Sequence, residues 1–434
     1  MKNILDRLID DFHERDLPIP VTREQNTMSV PGKANAVIGM RRAGKTWFCY
    51  QYMREIMKKG IDKERLLYIN FEDDRLLPFT GTDFQEILDA YYRKFPAFKN
   101  EKCHIFLDEV QNIKGWDRFV RRVLDSENLE VWITGSSSRL LSSEIATSLR
   151  GRSISKEIFP FSFKECLLFN DIDLKSTSRF GSRTMATLQH MLDKYMGIGG
   201  FPEVQNLDDE TRYQIHRNYI DVVILRDVVE RYNVRNTVAL RSLIRHIMAA
   251  PATKFSINRF YNTLKSQSIA CTKNDLYLFL DHLADAFLVY PVPIHSRSHK
   301  ARQVNPKKIY VVDTGLLASV SFKMTEDRGA LLENLIYMHL RRQGKAPEYY
   351  ITKSGAEVDF VIPGDRAQPL ELIQVCWSMD SPETRKREEK SLGEAMSELG
   401  AKRATFVTWL EEGSVAADFN IVPAWKWLLT GESL

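Results

Sequence analysis

Residues Gly39-Met40-Arg41-Arg42-Ala43-Gly44-Lys45-Thr46 form a complete phosphate-binding loop, and its flanks restrict the fold more than any other feature. An apolar strand-like run, Ala36-Val37-Ile38, leads into the loop. A helix-like run with Trp47, Phe48, Tyr50, Met53 and Ile56 leads out of it. Strand, glycine-rich turn and helix in that order open a parallel sheet with crossover helices. The glycines let backbone N–H groups curl around a phosphate, and the helix N-terminus adds positive potential. The expected nucleotide cradle is therefore Gly39, Arg41, Arg42, Ala43, Gly44, Lys45, Thr46 and Trp47. Lys45 is expected to reach the β- and γ-phosphates, and the Thr46 hydroxyl to ligate Mg2+. The implied ligand is a nucleoside triphosphate with its Mg2+.

Further strand candidates follow at Leu66–Glu72, Cys103–Leu107, Leu129–Thr134 and Ser153–Phe159, with helix-like stretches between them, among them Arg139–Leu149. Short apolar strands alternating with helical segments predict an α/β fold with a parallel sheet. The Cys103 run ends directly in Asp108-Glu109, at the carboxyl end of a strand, where ligands bind in such sheets. A carboxylate there can hold the water shell of Mg2+, and a second beside it can deprotonate attacking water. Asp108 is assigned to the metal and Glu109 to the general base, which makes this a hydrolase candidate. Ser136, first of the run Ser136-Ser137-Ser138 after the fourth strand, is the choice for a γ-phosphate sensor. Arg150 and Arg152 flank Gly151. Arg152 is the candidate arginine finger, acting on its own or a neighbouring subunit, and a basic helix end at a C-cap glycine is the alternative.

Gly-Met-Arg-Arg-Ala-Gly-Lys-Thr, Phe-Leu-Asp-Glu-Val-Gln, Thr-Gly-Ser-Ser-Ser, Leu-Arg-Gly-Arg and Pro-Phe-Ser-Phe-Lys-Glu together resemble the AAA+ predicted ATPases of bacteria and archaea. In those proteins a domain of unknown function follows the ATPase. The resemblance implies an ATPase core that uses ATP and Mg2+, with Lys45, Thr46, Asp108 and Glu109 in the roles above. It also implies adenine as the base.

At 434 residues the chain exceeds one typical core, so several domains are expected. A net charge of +4 is too small to argue for an acidic partner, so any nucleic-acid contact must come from local basic clusters. The five cysteines are scattered, with no Cys-x-x-Cys pair, which supports neither a zinc site nor a disulfide framework. The N-terminal segment is acidic and amphipathic, unlike a signal peptide, and no apolar run reaches the ~18 residues of a membrane span. The expected location is the cytoplasm.

Four regions are expected: a P-loop ATPase domain over 1–165, a helical lid over 166–235, a winged-helix-like module over 236–304, and a restriction-endonuclease-like domain over 305–434. In the lid, Gly199-Gly200-Phe201-Pro202 resembles the Gly-x-Pro element of related NTPases, which makes Pro202 a candidate adenine contact; a plain helix breaker is the alternative. Arg226 and Arg231 are lid-sensor candidates, or partners in salt bridges along a helix. In the third region, helices at Ile257 and after the capping box Thr272-Lys273-Asn274-Asp275 precede a strand. Arg297, Lys300, Arg302, Lys307 and Lys308 follow, a basic segment suited to DNA phosphates or to plain solvation.

The last region reads αβββαβ and resembles the PD-(D/E)xK nuclease core. That core needs a helix carboxylate, an aspartate on the second strand and Glu-x-Lys on the third. Glu333 and Asp359 match the first two. Gln374-Val375-Cys376 stands where Glu-x-Lys is needed, and an amide and a thiol cannot supply that charge. Glu371 falls on the other strand face, and Lys353 is the lysine considered for reaching in from the preceding strand. The expectation is a degenerate site. The function read from the sequence is ATP hydrolysis driving conformational change on DNA or a protein partner, with a homo-oligomer required if an arginine acts in trans. The alternatives are a slow signalling NTPase switch, an ATP-gated nuclease and a non-enzymatic DNA-binding regulator.

Overall fold

The computed structural model describes residues 2–136, 149, 151–172, 180–320, 327–364, 370–415 and 419–430. The helix expected over Arg139–Leu149, Arg150, and the serines after Ser136 lie outside the described residues, apart from Leu149. The chain divides into two compact units, residues 1–159 with Asp285–Phe287, and the remainder.

The first unit is an α/β layer structure. Helix α1 (Lys2–Glu14) buries Leu5, Ile9 and Phe12, spaced to fall on one face. Then come β1 (Ala34–Ile38), α2 (Lys45–Lys58), β2 (Leu66–Asn70), α3 (Phe84–Lys94), β3 (Cys103–Asp108), α4 (Trp116–Ser126), β4 (Leu129–Gly135) and β5 (Ser153–Glu157). All five strands run parallel in the order β2-β3-β4-β1-β5. Every residue of β1 and β3 is buried, as strands covered on both faces require. On one face Phe48, Tyr52 and Met53 of α2 pack on Phe106 and Trp132. β1 lies between β4 and β5, so β4 separates the phosphate-loop strand from the strand that ends in Asp108.

The second unit begins with α5 (Phe163–Phe169), α6 (Ser182–Ile198) and α7 (Asp209–Val222), the last continuing into a π-helical stretch, Val223–Glu230. A capping box starts α5: the Ser162 hydroxyl accepts from Glu165 N and the Glu165 carboxylate from Ser162 N. Next are α8 (Thr237–Ala249), β6 (Thr253–Phe255), α9 (Ile257–Ser266), α10 (Lys273–Asp285), β7 (Val289–Val292), α11 (His299–Val304) and β8 (Lys307–Val311). The expected capping box of α10 is formed by Thr272 and Asp275. Strands β6, β8 and β7 make an antiparallel three-stranded sheet with β8 in the middle. The sequence reading had grouped β8 with the last region; its backbone hydrogen bonds go to β6 and β7.

The remaining elements are α12 (Thr314–Val320), α13 (Arg328–Arg342), β9 (Glu348–Ile351), β10 (Glu357–Ile362), β11 (Glu371–Cys376), α14 (Pro382–Leu399), β12 (Ala404–Thr408), β13 (Gly413–Val415), β14 (Phe419–Pro423) and α15 (Ala424–Thr430). They build a six-stranded mixed sheet, β13-β14-β12-β11-β10-β9, in which β11, β12 and β14 are parallel. Leu392 and Ala395 of α14 pack on Val358, Leu372 and Phe406.

Candidate functional site

The phosphate loop leaves β1 at Gly39, whose φ of 141° and position suit only glycine: a Cβ there would lie 2.1 Å from the Ile158 carbonyl oxygen. Arg42 and Gly44 also take positive φ. Arg23, from the segment before β1, is buried beneath the loop. Its guanidinium donates to Ala43 O at 3.0 Å and to Phe159 O, and its backbone N to Gln51 Oε1 at 2.8 Å. An arginine spanning three segments fixes the loop from behind, and nothing in its local sequence marks it for that task.

The other site residues sit at the carboxyl ends of β3 and β4. Asp108 is buried and receives three hydroxyls: Thr46 Oγ1 at 2.8 Å and Tyr68 OH at 2.7 Å on Oδ2, and Thr134 Oγ1 on Oδ1. Thr134 also accepts from Glu109 N at 2.9 Å, so one side chain aims both acids. Tyr68 and Thr134 were read from the sequence only as strand residues, since buried tyrosine and threonine are common in strands. Burial and the Asp108 charge hold the Tyr68 phenol well above its ordinary pKa, so it serves Asp108 as a neutral donor.

Glu109 adopts a left-handed backbone, φ 52°, an uncommon conformation for a residue with a side chain. Its Oε1 lies 3.4 Å from Lys45 Nζ, and its Oε2 accepts from the Gln111 amide. Lys45 Nζ is also 3.3 Å from Gly39 O and from Met40 O. Burial pushes the Glu109 carboxyl up, but Lys45, Gln111 and Arg41 outweigh it and hold the group below the usual carboxylate range. Arg41 pairs with Glu72 at 3.1 Å. Trp47 is half exposed at the start of α2, edge-on to Tyr50. Ser136 is buried at the end of β4, between the strands that carry the loop and Asp108.

Arg152 lies elsewhere. It immediately precedes β5, where Ser153 is in register with Ala34 at the start of β1, and it pairs with Asp125. That is the amino end of the sheet, opposite the loop and roughly 15 Å away at the rise of a five-residue strand. Strand direction thus places Arg152 away from the phosphate loop of its own chain.

Within the second unit, Pro202 opens a short 3-10 turn, Pro202–Val204. The glycines ahead of it serve close packing. A Cβ on Gly199 would lie 1.9 Å from Asp313 Oδ1 and one on Gly200 2.2 Å from Phe161 O, while Gly200 N donates to Asp313 Oδ2 at 2.7 Å. Arg226 pairs with Glu230 at 3.1 Å, one helical turn on. Lys353, considered for the last region, is exposed in a turn, and its backbone N bonds Glu398. Among the described residues no helix is long and apolar enough to cross a membrane.

Residues 31–167 match the AAA domain family, residues 189–327 a domain of unknown function, DUF8612, and residues 328–427 another, DUF4143. An uncharacterised protein of Methanocaldococcus jannaschii is 35% identical over 423 residues, 94% of this chain and 91% of that protein. An uncharacterised protein of Haemophilus influenzae is 30% identical over 344 residues, 79% of this chain and 82% of its own. Among solved structures, Aeropyrum pernix ORC1 in complex with DNA is 14% identical with a TM-score of 0.30, covering 77% of this chain and 92% of that one. AMPPCP-bound DnaA from Aquifex aeolicus is 12% identical with a TM-score of 0.26, covering 58% and 69%. At these scores the likeness says nothing about partners or assembly. The parallel-sheet P-loop fold and the AAA match support an AAA+-type ATPase, and the chain belongs to the same family as the archaeal and bacterial proteins of 35% and 30% identity.

Proposed function

We propose that this chain is an Mg2+-dependent ATPase whose nucleotide cycle repositions the modules of the second unit on a protein partner. The observation that carries the reading is the meeting of Lys45, Thr46, Asp108 and Glu109 at the carboxyl end of the first sheet. The Thr46 hydroxyl and Asp108 carboxylate offer hard oxygen donors side by side, a set that fits Mg2+, which takes few protein ligands and keeps its waters. Bound there, Mg2+ would supply charge neutralisation to the phosphates. Lys45 has no contact shorter than 3.3 Å among its two carbonyls and Glu109, so a phosphate oxygen competes well for its ammonium. Once Lys45 turns to phosphate, Glu109 loses the charge that most lowers its proton affinity and becomes a better base toward water. In this reading Ser136 senses the γ-phosphate and Arg152 serves a neighbouring copy in a homo-oligomer.

In the second unit, the order α8-β6-α9-α10-β7-α11-β8 with sheet order β6-β8-β7 supports a winged-helix-like module. The order α13-β9-β10-β11-α14-β12 supports a nuclease-like module behind it. A protein partner is favoured over DNA by the outward face of α10, where Tyr277 is 52% and Leu278 44% exposed beside exposed Asp281. Arg302, in the basic segment ahead of β8, is also already engaged, since Glu348 holds it together with His295.

ATP turnover by the purified chain, with and without DNA, tests this reading beside Lys45→Ala and Glu109→Gln. Turnover that both variants abolish and DNA leaves unchanged is the expected result. DNA-stimulated turnover would replace the protein partner with DNA. Tight nucleotide binding without turnover would sink the ATPase reading in favour of a slow switch.

A further inference from the structure

Lys308, on the middle strand of the β6-β8-β7 sheet, is 3% exposed and points at acids from the neighbouring module. Its Nζ lies 2.7 Å from Glu333 Oε1 on α13, 2.7 Å from Glu357 Oε1 and 2.9 Å from Asp359 Oδ1 on β10. An ammonium has three N–H groups, and oxygens of three acidic side chains receive them. The surroundings complete the arrangement. Tyr310 OH donates to Glu333 Oε1 at 2.6 Å, Val375 N to Asp359 Oδ2 at 2.9 Å, and Lys254 pairs with Glu357 Oε2 at 2.7 Å.

This donor set does not fit a divalent cation while Lys308 is present. Mg2+ or Mn2+ needs carboxylate oxygens about 2.0–2.2 Å from one point, and the point these acids share is filled by the lysine nitrogen. Among the described residues no group of three or more His, Cys, Asp or Glu side chains is arranged to hold a metal ion. The third strand offers no compensation. Gln374 Oε1 accepts from Asp359 N at 3.1 Å, its Nε2 donates to Glu388 at 3.0 Å, and the Cys376 thiol donates to Ser378 O. Burial disfavours a charged Lys308, but Asp359, Glu333 and Glu357 outweigh it and hold the ammonium well above its ordinary pKa.

We infer that the Lys308 ammonium is the resident cation of this carboxylate cluster, standing where a nuclease of this fold would carry its metal, so that the module works without metal and does not cleave nucleic acid. The inference rests on the nuclease-like reading of that module. It has a structural corollary. Because β8 belongs to the winged-helix-like sheet, the same ammonium that replaces the metal ties the two modules together.

The test counts Mn2+ bound by the nucleotide-free chain, by electron paramagnetic resonance, in wild type, Asp359→Asn, Lys308→Ala and the double variant Lys308→Ala/Asp359→Asn. Comparison among the four removes any Mn2+ held near Thr46 and Asp108. Wild type and Asp359→Asn should bind equally, Lys308→Ala should bind one more ion, and the double variant should lose it. Mn2+ should also raise the melting temperature of Lys308→Ala and leave that of wild type unchanged. Mn2+ binding by wild type that Asp359→Asn removes would overturn the resident cation while sparing the nuclease-like reading, as would Asp359-dependent cleavage of DNA. A folded Lys308→Ala that gains no ion would overturn both. Should Lys308→Ala fail to fold with or without Mn2+, wild type against Asp359→Asn decides alone.

Discussion

Lys45 and Lys308 each face carboxylates from another element, and they are held in opposite ways. Lys45 opens α2 at the carboxyl end of the first sheet, 3.3 to 3.4 Å from two carbonyls and one acid. Lys308 sits within a strand, 2.7 to 2.9 Å from three acids. The first ammonium can be drawn away by a ligand with more charge, and the acid it leaves behind changes its proton affinity. The second has no better partner to go to, because oxygens of three acidic side chains already take its three N–H groups. A lysine beside acids is thus a movable part in one place and a permanent fixture in the other, and contact distance and element rigidity decide which.

The largest effect that would break this contrast is catalytic. Glu109→Gln should lower kcat by about 10²–10⁴, the range for losing a general base, while leaving ATP affinity near that of wild type. Lys45→Ala should lose the affinity itself. Equilibrium binding of ATP beside steady-state turnover separates the two. Equal loss of binding in both variants would mean that the Lys45–Glu109 pair is structural, and so no different in kind from the pair at Lys308.

Next in size is stability at the second lysine. Removing one partner of a buried ion pair typically costs about 3–5 kcal/mol, so Lys308→Ala should lose that much in denaturant unfolding without Mn2+. Lys308 is only 3% exposed, so solvent screening is a small correction. Lys45→Ala should cost far less, since its loop contacts are long. Comparable losses in the two variants would dissolve the distinction.

How far the sequence disclosed these two sites differs for a physical reason. The phosphate loop and Asp108-Glu109 were legible because each is a local pattern whose chemistry is fixed by spacing along one chain segment. The place of β4 between β1 and β3 was not, because strand order is a long-range choice that periodicity does not encode. Arg23, Tyr68 and Thr134 escaped for the same reason, since their partners lie on other segments. At the second site the acids Glu333 and Asp359 were found by their positions on helix and strand. Their cation was sought on the third strand, and on Lys353, when it is supplied by a strand hydrogen-bonded into another sheet. In Lys307-Lys308-Ile309-Tyr310-Val311 a lysine pair reads as a solvated strand start, and only the tertiary fold turns Lys308 inward.

The pH response should also have opposite signs at the two sites. Burial first, then the neighbouring Asp359 charge, raises Glu333 to about 8. Between its ordinary value of 4.5 and about 8 the folded chain keeps a proton that the unfolded chain has released, so stability from this group falls as pH rises through that window. Glu109 is lowered, so its contribution is present above the ordinary carboxylate value and is lost as pH falls through the folded one. Glu333→Gln should therefore flatten the decline between pH 4.5 and 8 relative to wild type, in unfolding measured across that range. An unchanged slope would remove Glu333 as a proton-holding member of the cluster.

The smallest effect sharpens the comparison most, because it asks whether the nucleotide site is as rigidly specified as the buried one. Tyr68→Phe keeps a ring stacked on Phe12 and removes only the hydroxyl that donates to Asp108 at 2.7 Å. Asp108 retains Thr46 and Thr134. One hydrogen bond of three to a charged acceptor is worth about 1.5–3 kcal/mol at most, and less where the remaining donors or water can adjust. If Tyr68 only aims Asp108 at the cation that accompanies ATP, KM for Mg-ATP should rise several-fold with kcat nearly unchanged. A fall in kcat at constant KM would place Tyr68 in the chemical step. No change in either would mean that the two threonines suffice to orient the acid, which is the tolerance expected of a site built to exchange its ligand and not of one sealed around its own cation.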